Sequence, residues 1–254
     1  MDIYRPENPN GYGVIHISGS GWTAPLSLDA RPLKESVHVE IEALPLVAAG
    51  YTVFTINHRA TPRFKYPAAL EDAQRAVRFI RHNADRYGIQ PDRIGAMGGS
   101  SGGHLVSLLG VLDGAGDTND ESPINRTSAR VQCVVTRAAP VDFRRWSVPW
   151  FLDVRLPSDD GPSQERRIIE GASPITHVSA DSPPFLLIHG EADQVVPVEQ
   201  SLLFAEALTA AGVPVEVVRV PGAGHGPQMP GATGLVDIGQ RAVEWMARYL
   251  LPTV

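Results

Sequence analysis

Short apolar runs alternate with amphipathic stretches along most of this chain. Six of the runs are rich in β-branched residues and are bounded by Gly, Pro or Asp, which is typical of strands. They are GVIHIS (13–18), YTVFTI (51–56), DRIGAM (92–97), VQCVVT (131–136), PFLLIH (184–189) and PVEVVRV (214–220). Several are apolar on both faces, as strands buried in a parallel sheet are.

The stretches between these runs predict helices. The clearest spans about 67–87, where apolar residues recur at helical spacing, Pro67 suits the first turn and Gly88 suits the end. Further helices are predicted after Gly102, after Pro197 and at the end of the chain. The stretch 36–49 also has a helical pattern, but Pro45 is expected to kink or shorten it.

The regular strand–helix alternation indicates an α/β fold with a mainly parallel central sheet, flanked by helices and joined by right-handed crossovers. In such a sheet, ligands bind at the carboxyl ends of the strands. We expect one domain over residues 1–254, since no linker or internal repeat divides them. Residues 113–130 are polar and predict a surface loop, whereas 142–183 is long enough to form a small lid or pocket wall.

Composition and charge narrow the classes of function. The chain has 254 residues, 43% of them hydrophobic, and a formal net charge of −6. This negative charge disfavours binding to nucleic acid, which is itself negatively charged. No apolar run is long enough to cross a membrane. The first residues lack the apolar core of a signal peptide, so we expect a cytoplasmic protein, although a removed leader is compatible with the sequence. Cys133 is the only cysteine, and its apolar surroundings predict a buried thiol.

The stretch GGSSGGHL (98–105) lies where a strand should give way to a helix. The pattern G-x-S-x-G fits it twice, with either Ser100 or Ser101 at the centre, and predicts a nucleophile elbow: a serine on a tight turn at a helix N-terminus. A phosphate-binding turn is disfavoured because the G-x-G-x-x-G spacing and the G-K-[ST] ending are missing. A purely structural turn stays open. Local pattern alone does not choose between the two serines.

Candidate partners for this serine follow the last two predicted strands. Asp193 lies in GEADQVVP and His225 in PGAGHGP, which gives the chain order Ser, acid, His of a triad on such an elbow. His225 would accept the serine proton, and Asp193 would fix the tautomer of His225. Glu191 is the rival acid, but a solvated loop charge is the simpler interpretation of it.

The other histidines fit structural positions better. His16 and His189 lie on strands, and His38 and His82 lie on helical faces and are expected to be solvated. His58 is expected to pack behind the site, and His104 follows the elbow. His177 lies in the segment 142–183, where a surface position is the simpler interpretation and a pocket role stays open.

An oxyanion hole is predicted after the first long strand. The loop SGSGW contains Gly19 and Ser20, whose backbone N–H groups could face the elbow together with the amide of the residue after the nucleophile.

With these motifs in order, the chain resembles the α/β-hydrolase serine esterases, in the bacterial group that includes acetyl-xylan-esterase-like and hormone-sensitive-lipase-like enzymes. DIYRP (2–6), the stretch 66–94, GGSSGGHL, the stretch 173–197 and GAGHG (222–226) are similar to conserved parts of that family. The resemblance implies Ser100 as the nucleophile, with Asp193 and His225. It gives Ser101 a role through its amide, and it makes His104 a ligand of nearby loops.

The chain departs from the family pattern in three places. SGSGW stands where the family has H-G-G-G-W, so Ser20 must tolerate the backbone conformation of the loop, and NHRATP (57–62) stands for D-Y-R-L-A-P. A reduced N-terminal hairpin and no large cap domain are also expected. An open acyl site would be walled by the aromatic residues Trp22, Trp146, Trp150 and Phe151, although an aromatic cluster also suits a core.

The resemblance implies hydrolysis of carboxylic esters through an acyl-enzyme, with no metal or organic cofactor. Short acyl esters are the expected substrates, because the sequence shows no large lid or long apolar stretch to hold a fatty chain. A peptidase or amidase on the same fold is the alternative within enzymes. A non-catalytic binding protein is the alternative outside them. The expected partner is a small-molecule ester; the oligomeric state is not predicted.

Overall fold

The computed structural model describes residues 1–23, 32–146, 150–152 and 161–252, with side chains left out at 150 and 161–163. Seven strands form one sheet in these ranges. They are β1 (Asp2–Tyr4), β2 (Gly13–Ile17), β3 (Thr52–Thr55), β4 (Ile94–Gly99), β5 (Cys133–Arg137), β6 (Phe185–Gly190) and β7 (Val215–Val220). All six predicted strands are confirmed, and the DIYRP segment supplies β1.

The strand order is β1-β3-β2-β4-β5-β6-β7, and every pair is parallel except β1 with β3. This is the predicted mainly parallel sheet. The chain runs from β2 to β3 on one side and then places β4 on the other side of β2. The carboxyl ends of β2 and β4 therefore lie side by side at a switch point, where α/β sheets bind ligands.

Helices cover both faces of the sheet. They are α1 (Leu44–Ala48), α2 (Ala68–His82), α3 (Ala84–Tyr87), α4 (Ser101–Val111), α5 (Gly161–Ala172), α6 (Glu199–Ala210) and α7 (Ile238–Leu250). Short 3-10 helices span Leu33–Glu35, Trp150–Leu152 and Pro174–His177. Helices α2, α4 and α6 share one apolar core with the sheet, and α1 and α7 share the other. No helix in the described ranges is long and apolar enough to span a membrane.

Two helical predictions need correction in detail. The stretch 36–49 begins as a π-helical turn (Val39–Ala43) and continues as α1, with Pro45 in the first turn of α1, where its missing N–H leaves no donor unpaired. The helix predicted over 67–87 divides at Asn83 and ends at Gly88, which adopts the expected left-handed conformation with φ 68°.

Candidate active site

The elbow is formed where β4 meets α4. Ser100 has φ 52° and ψ −123°, a conformation that costs a non-glycine residue about 1–3 kcal/mol and that turns its side chain out of the sheet. A Cβ on Gly98 would lie 2.7 Å from the Gly102 carbonyl and 2.8 Å from that of Ile17, and a Cβ on Gly102 would also collide with Ile17. Glycine is therefore required two residues before and two residues after Ser100. Gly99 and Gly103 of the rival frame are crowded too, so the strained backbone at Ser100, and not the glycines, favours the frame centred on Ser100.

The structure brings the three predicted triad residues together. The Ser100 hydroxyl donates to Nε2 of His225 over 2.9 Å. Nδ1 of His225 donates to Oδ2 of Asp193 over 2.7 Å. Asp193 follows β6 and His225 follows β7, so both side chains reach Ser100 from the same edge of the sheet. Glu191 instead pairs with Arg219 at the surface.

Asp193 is held as a carboxylate. Burial by itself raises the pKa of Asp193, but hydrogen bonding from His189, His225 and the amides of Val196 and Val195 outweighs it and lowers the pKa far below the usual range. The Val195 and Val196 amides donate to Oδ1 over 2.8 and 2.9 Å. Oδ2 is thereby left to face His225.

The predicted oxyanion loop lies directly against the elbow. A Cβ on Gly19 would lie 2.8 Å from the Gly99 carbonyl and 2.9 Å from Cβ of Ser100, so only glycine fits there. The left-handed conformations of the loop fall on Gly21 and Trp22 (φ 62° and 57°), and Ser20 is spared that strain. The Ser20 amide donates to the Ser101 hydroxyl over 2.9 Å. Sequence reasoning gave Ser101 only a backbone role and did not foresee this bond.

His104 is buried one turn into α4 and serves as a loop ligand, as predicted. Its Nε2 donates to the Ala172 carbonyl over 2.7 Å, and its Nδ1 accepts from the Trp22 indole over 3.0 Å. Burial lowers the pKa of His104 to about 4, although the bond to Ala172 opposes the shift.

The predicted aromatic wall is in part a small core. Trp22 stacks on Phe151 with ring centroids 3.7 Å apart, and both are at least 95% buried, since they expose only 5% and 3%. Trp146 is half-buried and packs on Phe143. The side chain of Trp150 lies outside the described residues. Contact of these aromatics with a substrate stays a prediction.

A buried cluster of charged groups lies beneath the elbow. Arg137, at the end of β5, donates from Nε to Glu42 over 2.7 Å, and His16 donates from Nε2 to the same carboxylate over 3.0 Å. Burial alone raises the pKa of Glu42, but the Arg137 charge and the bonds from His16 and His38 outweigh it and hold the pKa well below the usual value. A Cβ on Gly99 would collide with the Arg137 guanidinium, so the cluster touches the backbone of the elbow.

His38 belongs to this cluster, and the prediction that it is solvated is wrong. Its side chain is only 12% exposed, and Nδ1 lies 3.3 Å from both Glu42 oxygens and 3.2 Å from Nη2 of Arg137. A Cβ on Gly19 would lie 2.9 Å from Cε1 of His38, so the ring also supports the oxyanion loop. The helical pattern placed His38 on a polar face but could not show that an ionic core lies against that face.

The remaining histidines have the structural positions expected of them. His16 and His189 are buried on strands, and His189 donates to the Val196 carbonyl and accepts from Ser201. His58 is buried and donates to the Arg59 carbonyl, and burial lowers its pKa. His82 is exposed. In the described ranges, no group of three or more His, Cys, Asp or Glu side chains is arranged to hold a metal ion.

Two family models and several curated proteins match this chain. The BD-FAE family model matches residues 1–208, and the model of the dienelactone hydrolase family matches 170–249. The chain is 32% identical to the probable carboxylic ester hydrolase LipM of Mycobacterium tuberculosis, over 89% of this chain and 52% of that protein.

Solved structures are similar over nearly the whole chain. A truncated form of a carbohydrate esterase from gut microbiota is 31% identical with a TM-score of 0.78, covering 97% of this chain and 89% of that one. An acetyl ester-xyloside bifunctional hydrolase from Caldicellulosiruptor lactoaceticus is 30% identical with a TM-score of 0.74, covering 97% and 86%.

The sheet, the elbow and these similarities place the chain in the α/β-hydrolase fold, among proteins described as esterases and ester hydrolases. Within that class, the chain belongs to the BD-FAE family. It spans about half the length of the curated relatives it matches, with 52% of one and 46% of another covered.

Proposed function

We propose that this protein hydrolyses carboxylic esters of short acyl groups through an acyl-enzyme formed on Ser100. The observation that carries the proposal is the continuous hydrogen-bonded chain from Ser100 through His225 to Asp193, at 2.9 and 2.7 Å. The first distance allows a proton to pass from the nucleophile to its base, and the second allows Asp193 to orient the imidazole and stabilise its charged form.

In the acylation half, the Ser100 oxygen attacks the ester carbonyl carbon while Nε2 of His225 takes the hydroxyl proton. The carbonyl oxygen becomes an oxyanion, stabilised by the backbone N–H groups of Ser101 and of Gly19 in the facing loop. Collapse of this intermediate breaks the bond to the alcohol oxygen, which receives the proton from His225. Asp193 stays ionised throughout and stabilises the imidazolium.

In the deacylation half, water attacks the acyl-Ser100 ester and His225 takes its proton. The second oxyanion is stabilised by the same groups. Its collapse releases the carboxylic acid and returns the proton to Ser100. All groups that this cycle needs are side chains and amides of the chain itself.

Short acyl groups are proposed on two grounds. Trp22, Phe143 and Phe151 pack against His104, one helical turn from Ser100, and we infer that they limit the length of the acyl group on that side. One solved relative is described as an acetyl ester-xyloside bifunctional hydrolase and another as a carbohydrate esterase. The alcohol part of the substrate is accordingly proposed to be a small molecule of the carbohydrate class.

The test is a panel of 4-nitrophenyl esters of increasing acyl length, run beside the matching acetanilide. The highest kcat/KM is expected for acetate or butyrate, with the anilide far slower and Ser100→Ala inactive on all of them. A fluorophosphonate probe should label Ser100, as located by mass spectrometry. Hydrolysis that survives in Ser100→Ala, or an unlabelled Ser100, would reject the proposal; equal rates on anilide and ester would identify an amidase.

A further inference from the structure

Two serines meet at the edge of the site, one on each of the segments that the mechanism uses. Ser20 lies in the loop after β2, and Ser101 is the first residue of α4, directly after the nucleophile. The Ser20 amide donates to the Ser101 hydroxyl over 2.9 Å, and Ser101 exposes only 1% of its surface. The amide that would otherwise be free to bind an oxyanion is thus satisfied by a hydroxyl.

The proton of the Ser101 hydroxyl has no hydrogen-bond acceptor among the described residues. A serine hydroxyl can accept two hydrogen bonds and donate one. Ser101 accepts from Ser20, and no atom in the described part of the chain takes the proton that Ser101 can donate. Only Cα and Cβ separate this hydroxyl from the Ser101 amide, the predicted donor to the oxyanion.

We propose that the Ser101 hydroxyl is a further catalytic group of this enzyme, one that donates a hydrogen bond to the oxyanion while it accepts the Ser20 amide. The Ser20 N–H then stabilises the negative charge through the hydroxyl. Polarisation along such a chain strengthens each bond, because the donated N–H makes the hydroxyl proton more positive. No proton is transferred: the hydroxyl keeps its proton in every step. The inference rests on the ester hydrolysis proposed above.

The competing interpretation makes the opposite prediction. If the hydroxyl only occupies the Ser20 amide in the resting enzyme, its removal frees that amide for the oxyanion, and activity stays the same or rises. If the hydroxyl is itself the donor, its removal leaves a gap between the Ser20 amide and the oxyanion, and activity falls. The sign of the effect of one substitution therefore decides between the two.

The experiment compares Ser101→Ala with Ser107→Ala on 4-nitrophenyl acetate. Ser107 is a matched control, since it is a buried serine on α4 whose hydroxyl donates to the Gly103 carbonyl, away from the nucleophile. We expect Ser101→Ala to lower kcat by about 10²-fold, the cost of one oxyanion donor, with KM little changed. Ser107→Ala should stay within about threefold of the wild type.

Two further measurements serve as controls for this experiment. Ser101→Cys keeps the size of the side chain but has a weaker donor, and its kcat should fall between those of wild type and Ser101→Ala. The affinity for a trifluoromethyl ketone, which forms an oxyanion on Ser100, should fall by the same factor as kcat. A Ser101→Ala enzyme with wild-type kcat, while wild type is active, would overturn this inference alone; wild-type protein without esterase activity would overturn the proposed function as well.

Discussion

Replacing Glu42 by Gln should lower the free energy of unfolding sharply, because it removes the charge that compensates Arg137. Both side chains are at most 1% exposed, and their atoms lie 2.7 Å apart. Among the described residues, no other carboxylate lies within ion-pair distance of this guanidinium. Gln keeps the shape of Glu but leaves a buried positive charge.

The expected loss of unfolding free energy depends on how deeply the Glu42–Arg137 pair is buried. Removing one partner of a buried ion pair costs about 3–5 kcal/mol, whereas an exposed pair contributes about 0–1 kcal/mol. For a chain of this length, the buried loss corresponds to a Tm lower by about 6–20 °C. Glu71→Gln is the matched control, since Glu71 pairs with Arg59 at the surface and is 56% exposed.

The assay is urea unfolding followed by circular dichroism, with Tm measured beside it. The double variant Glu42→Gln/Arg137→Met should recover part of the loss, because it removes both buried charges together. The reasoning is refuted if Glu42→Gln lowers the free energy of unfolding no more than Glu71→Gln does. It is also refuted if the losses of stability in Glu42→Gln and Arg137→Met, measured separately, simply add in the double variant.

Acid should weaken the same cluster. In the folded protein the pKa of Glu42 lies well below its ordinary value, so its contribution is complete at neutral pH. That contribution is lost as the pH falls below about 4, where the unfolded chain takes up the proton before the folded protein does.

Two other substitutions test neighbouring parts of the site. Asp193→Asn should lower kcat by about 10³- to 10⁴-fold without unfolding the protein. The Val195 and Val196 amides would hold the amide oxygen of the new side chain and turn its NH₂ group towards His225. His225 would then carry its proton on Nε2 and could not accept the proton of Ser100. Glu191→Gln is its control, and a kcat for Asp193→Asn within tenfold of wild type would contradict the assignment. Because the pKa of His104 is lowered to about 4, the unfolded state binds more protons than the folded state between about pH 6.5 and 4, and the free energy of unfolding should fall by about 3 kcal/mol as the pH is lowered through that range. The part of that fall due to His104 should vanish in His104→Gln but not in His82→Gln, as measured by urea unfolding at each pH; identical pH slopes in all three proteins would contradict it.

The strands and the elbow could be predicted from the sequence because neighbouring residues determine them. The segment FLLI (185–188), for example, is apolar on both faces of its strand, and Gly98 and Gly102 flank Ser100 because the chain must fold back tightly there. The order of Ser100, Asp193 and His225 along the chain also predicted which loops would meet, because the strands before them are parallel members of one sheet and end at the same edge.

The charged cluster could not be predicted from the sequence because its residues are far apart in the chain. His38 and Glu42 have the spacing of a solvated helical face, and nothing near them shows that Arg137 lies against that face. The π-helical turn at Val39–Ala43 was missed for a related reason: its apolar spacing differs little from that of an α-helix over one turn. Contacts between distant segments decided both features.

The cluster joins stability to the proposed chemistry. Arg137 packs on Gly99 and its carbonyl accepts the Ser100 amide over 2.7 Å, while His38 packs on Gly19 in the facing loop. One buried carboxylate, Glu42, thus holds the guanidinium of Arg137 and the imidazoles of His16 and His38 around the nucleophile. A polar cluster of this kind has few alternative arrangements in a low-dielectric interior, because each partner left unpaired is costly. The strained conformation of Ser100 and the close approach of Gly19 therefore depend on charges that never touch the substrate.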